Sequence, residues 1–93
     1  MTIDRVKIES RVRKTVISKM KLDDVKEEVT PSKDLFDISG VGYKDFWKMC
    51  RGLEGEFQEH KIIIKDKDEK KLLNVNSIVD FIISKIQSSK GRV

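Results

Sequence analysis

Apolar side chains recur at helical spacing in three separate stretches of this chain, and that periodicity constrains the fold more than any other feature. Ile8, Val12, Val16 and Met20 form an i, i+4 ladder, with Ile3, Val6 and Ile17 beside it and Arg5, Glu9, Arg11 and Lys14 between. The spacing predicts an amphipathic helix over residues 3–20. From Tyr43 to about Gln58, helical steps place Phe46, Met49, Cys50, Leu53 and Phe57 on one broad face. Lys44, Lys48 and Arg51 gather on the opposite side, and Tyr43 and Trp47 lie along the border. Val75, Ile78, Val79, Ile82 and Ile86 make the third stripe, behind a candidate N-cap at Asn74. Helices with one apolar face each must bury those faces together, so the predicted class is all-α.

The 93 residues suffice for one small core and exclude a multidomain enzyme. With 38% apolar and 39% charged residues, much of the surface must stay wet, and Gly52 and Gly55 each weaken the second helix by about 1 kcal/mol relative to Ala. Packing must therefore hold that helix. The expected domain is residues 1–87, followed by a flexible tail over 88–93, because SSKGRV offers no apolar anchor. A single cysteine points to a reducing compartment, MTIDRVKIES holds no apolar run of the signal-peptide kind, and no stretch reaches the length of a membrane span. The expectation is a cytoplasmic monomer.

Between the first two helices, LDDVKEEVTPSKDLFDISGVG sets Leu22, Val25, Val29, Leu35 and Phe36 apart among Pro31, Ser32, Gly40 and Gly42. This reads as a long ordered loop pinned by single side chains. Ile62, Ile63 and Ile64 have strand propensity but no obvious strand to pair with, so HKIIIKDKDEKKLL reads as an extended connection followed by a helical turn around Asp66–Lys71.

Taken together, IESRVRKTVISKM, DDVKEEVTPSKDLF, GVGYKDFWKMCRGLEGEF and NVNSIVDFI resemble the acyl carrier protein family, peptidyl carrier domains included. The resemblance spans about residues 3–86. It implies a four-helix bundle of three main helices plus a short third one, with a long first loop. That family carries acyl groups on a phosphopantetheine arm attached to the Ser of a Gly-x-Asp-Ser-Leu motif at the start of the second helix. Aligned on Gly40 and on LEGEF, the Asp, Ser and Leu positions are Gly42, Tyr43 and Lys44 here. The tyrosine hydroxyl stands several ångströms farther from the backbone than a serine's, and a transferase shaped for Ser should reject it. No cofactor is therefore expected, although the resemblance implies phosphopantetheine. Attachment at an unusual hydroxyl, Tyr43 or Ser39, is the alternative; Ser39 precedes the helix and reads otherwise as a turn serine. Cys50 belongs to the core face, which hides a thiol and raises its pKa.

The resemblance also implies that partners dock on the second helix, which is usually acidic. Lys44, Lys48 and Arg51 reverse that sign. Tyr43, Lys44, Trp47, Lys48 and Arg51 are thus the predicted docking face, for enzymes of fatty-acid or polyketide-type acyl metabolism or for another carrier protein. Bulky Phe46 and Trp47 are candidates to fill the space an acyl chain would use. A second alternative is a basic helical nucleic-acid-binding protein, prompted by the net charge of +4; sixteen acids dilute it and no recognition motif accompanies it. His60 has no second histidine, cysteine pair or acidic set around it to build a metal or catalytic centre, and the reading is non-enzymatic.

Overall fold

In the computed structural model, which describes residues 4–38 and 40–90, the chain folds as three main helices. Helix α1 runs Arg5–Met20, α2 Tyr43–Glu56 and α3 Val75–Lys90, and no strand occurs among the described residues. Among the described residues, four short 3-10 turns join them, at Asp23–Glu28, Leu35–Asp37, Gln58–His60 and Asp66–Lys71. The class is all-α, as the periodicity predicts.

Each helix begins where a side chain can answer its unpaired N–H groups. Asp4 accepts from Val6 and Lys7 ahead of α1. Asp45 reaches back from the first turn of α2 to the Gly42 N–H at 3.0 Å, and Asn74 accepts from Ser77 at 2.8 Å at the head of α3. The three predicted stripes meet in one core: Val12 and Val16 of α1, Phe46, Met49, Cys50 and Leu53 of α2, and Ile78, Val79 and Ile82 of α3 are fully buried. Phe57 closes the end of α2.

The long connection behaves as a pinned loop. Leu22, Val29 and Leu35 are buried, while Val25 and Phe36 are half-buried against the core. Ile38, which no helical or alternating pattern marks, is buried as well. Two backbone bonds tie this loop to the far end of the chain: Leu35 N–H donates to the Leu73 carbonyl at 2.7 Å and Asn76 N–H to that of Pro31 at 3.0 Å.

Several expectations need correction. Ile3 lies outside the described residues, and Val6 is 76% exposed because it sits on the outer side of the first turn. Helix α3 continues to Lys90, three residues past Gln87, since propagation adds a backbone bond per residue without needing an apolar anchor; residues 91–93 lie outside the described residues. Phe81 lies off the predicted stripe yet is buried, with the Lys85 amine 5.3 Å from its ring centre.

The two glycines of α2 differ in what surrounds them. A Cβ on Gly52 would lie 2.6 Å from Lys19 Cγ on α1, whereas one on Gly55 would meet open space. Gly55→Ala should therefore raise unfolding free energy by about 0.5–1 kcal/mol. Gly52→Ala should gain less or lose stability, because the Lys19 stem must move first; chemical denaturation of both variants reads the difference.

Candidate docking site on the second helix

Ile62–Ile64 follows the Gln58–His60 turn outside any helix, with no strand among the described residues to pair with it, so its backbone needs partners from elsewhere. Ile62 and Ile64 point inward and are buried, and Ile63 between them is 64% exposed. The partners come from α2. The Ile64 N–H donates to Glu54 Oε2 at 2.6 Å, Arg51 Nη2 donates to the Ile64 carbonyl at 2.9 Å, and the two side chains pair at 3.1 Å. Arg51 is thus held in place from both sides, and its guanidinium carbon stands 5.8 Å from the Trp47 ring centre.

That fixed arginine forms one wall of a shallow depression whose other lining residues are Tyr43, Lys44, Trp47 and Lys48. All five residues of the predicted docking face meet here. The lining is apolar, made by the two aromatic rings and the stems of the cationic side chains. Phe46 and Trp47 take different roles: Phe46 is wholly buried, whereas Trp47 is half-buried and packs edge-on against it at 5.1 Å. Only Phe46 fills interior space. Lys44 and Lys48 are exposed and enter no ion pair among the described residues.

Tyr43 stands at the first position of α2 with its ring edge against Phe36 and Phe46, at 6.0 and 6.5 Å between ring centres. Its hydroxyl donates to Glu69 of the Asp66–Lys71 turn, and that bond raises the phenol pKa. The bond fixes the phenol oxygen against that turn. Ser39, the other candidate hydroxyl, lies outside the described residues.

A second, basic groove adjoins the depression and shares Lys48 and Arg51 with it. Lys14, Lys19 and Lys21 of α1 and its exit line the far side, with Gly52, Gly55 and Glu56 below. Glu56 is already paired with Arg11 at 3.1 Å. His60, half-buried in the Gln58–His60 turn, has Glu59 at 3.8 Å, and no three metal-binding side chains cluster among the described residues. No family model matches this chain and no solved structure matches it.

Two outcomes follow from these contacts. Glu54→Ala should cost about 1–3 kcal/mol by stranding the part-buried Ile64 N–H, and Glu54→Gln should recover much of that through its amide oxygen; urea titration measures both. Burial pushes the Cys50 thiol up to about 12 from its ordinary 9.0. The unfolded chain then releases this proton before the folded one, so stability falls as pH rises between those values. The slope should shrink in Cys50→Ala, and thiol reagents should modify native Cys50 only as fast as the protein opens.

Proposed function

We propose that this chain is a carrier-protein-like, non-enzymatic module that works by docking on partner proteins rather than by carrying an acyl group. One observation supports the reading above others: the five residues picked out at the family's attachment site and docking helix converge on a single surface depression of α2. The order of elements fits it as well. A long first helix, a pinned loop, a second helix, a short turn at Asp66–Lys71 and a last helix is the arrangement that the resemblance implies.

Absence of the arm follows from chemistry at the attachment position. Tyr43 replaces the serine, and its hydroxyl is engaged by Glu69. A carrier function would require a transferase to break that bond and to accept an oxygen on the far side of an aromatic ring. The partners expected on this reading are enzymes of acyl metabolism or an ordinary carrier protein. No helix of the described residues is long and apolar enough to cross a membrane, and the buried lone thiol suits the reducing cytoplasm.

Intact-mass measurement after incubation with a phosphopantetheinyl transferase and coenzyme A tests the proposal. The mass should stay unchanged. Addition of one arm, mapped to Tyr43 or Ser39 by peptide sequencing, would establish the carrier alternative instead.

A further inference from the structure

We infer that the element docking on α2 is an acidic amphipathic helix of the partner, with one apolar side chain seated between Tyr43 and Trp47. The inference rests on the docking reading above and adds to it the chemistry of the partner.

The argument begins with spacing. Lys44, Lys48 and Arg51 stand at i, i+4 and i+7, one row along about 10 Å of helix axis. Carboxylates at the same spacing on a neighbouring helix face such a row in register. Arg51 is already committed to Glu54 and to the Ile64 carbonyl, so the ammonium groups of Lys44 and Lys48 are the ones that answer the partner's charge. Their row continues across the adjoining groove to Lys14 and Lys21. Charge is thus spread along an elongated surface rather than focused on one point, which suits a segment with several acids and not a single anion.

The floor of the depression supplies the second requirement. Its lining is apolar, and a charged group placed there would be desolvated without a partner. An aliphatic or aromatic anchor fits it, flanked by acids that reach the lysines at the rim. Glu69 accepts from the Tyr43 hydroxyl at one end of the depression, so the partner's acids belong along the Lys44–Lys48 row and the α1 side, away from that carboxylate.

Nucleic acid fits this surface less well. Single strands bind through open aromatic faces on which bases stack. Here the Arg51 guanidinium lies over the Trp47 ring, and the ring is half-buried against Phe46. Tyr43 is tied at its hydroxyl to Glu69, which would meet a phosphate with like charge.

Trp47 is the single tryptophan of the chain, so its fluorescence reports binding at this place. The probe is a synthetic helical peptide of about 20 residues bearing Glu at i, i+4 and i+7 with one Leu between them. Three comparators accompany it: the same composition scrambled so that no face is acidic, polyglutamate of equal charge, and a single-stranded RNA of equal charge. The patterned helix should bind about ten-fold tighter than any comparator and weaken as salt rises. The K44E/K48E double variant should lose that binding by a similar factor and regain it with a peptide carrying Lys in place of Glu. Both lysines are exposed, so circular dichroism should show the fold intact. Equal affinity for the scrambled peptide or polyglutamate, tighter binding of RNA, or no binding of the patterned helix would each overturn the inference. A phosphopantetheine mass gain would overturn the docking-module reading without touching this result, so the two failures are separable.

Discussion

A segment that enters the core outside any helix or strand must find hydrogen-bond partners among side chains, and at Ile64 that need is met by one ion pair on a neighbouring helix. Glu54 takes the N–H of Ile64 and Arg51 supplies its carbonyl with a donor. Ile62 and Ile64 can then enter the core while the chain between α2 and α3 stays irregular. The Asp66–Lys71 turn begins two residues after this attachment and carries Glu69, which accepts from the Tyr43 hydroxyl.

The same solution recurs elsewhere with other arginines. Arg11 donates to the Glu56 carbonyl at the end of α2, lies over Phe57 at 4.3 Å and pairs with Glu56 and Glu59. Arg13 donates to the carbonyls of Lys26 and Val29 at the end of the first 3-10 turn, where Lys26 also accepts from the Val29 N–H. Arginine suits this work because its planar fork offers several donors from one fixed group. The positive charge of the chain is therefore divided: these arginines seal the ends of short elements, and lysines such as Lys44 and Lys48 supply the outward charge. A net charge counted from composition merges the two.

The sequence was most legible where packing follows periodicity. The α2 stripe of Phe46, Met49, Cys50, Leu53 and Phe57, the α3 stripe from Val75 to Ile86 and the Asn74 cap were readable because a helix repeats its core contacts every three or four residues. The five residues of the depression were readable too, as the border and outer face of one helix. What Arg51 does was not, because its partner Ile64 is thirteen positions away across an irregular turn and no local pattern announces a carbonyl without a donor. Ile38 and Phe81 escaped for a related reason: their burial comes from how segments meet, not from repetition along a segment. Periodicity separated Phe46 on the core face from Trp47 on the border, and the space-filling role expected of both falls to Phe46, with Trp47 packed half-buried against it.

Two lysines end their helical segments in the left-handed region, Lys21 at φ 56° and Lys61 at φ 53°, where glycine is the relaxed choice. Each is exposed, and each is followed by a buried residue, Leu22 or Ile62. A protease that cuts after lysine needs several residues on both sides drawn out straight, so neither bond can enter its cleft while the following side chain is docked. Cleavage at either place would therefore time the release of the loop from the bundle, and these conspicuous surface lysines become clocks for local opening rather than weak points of the fold.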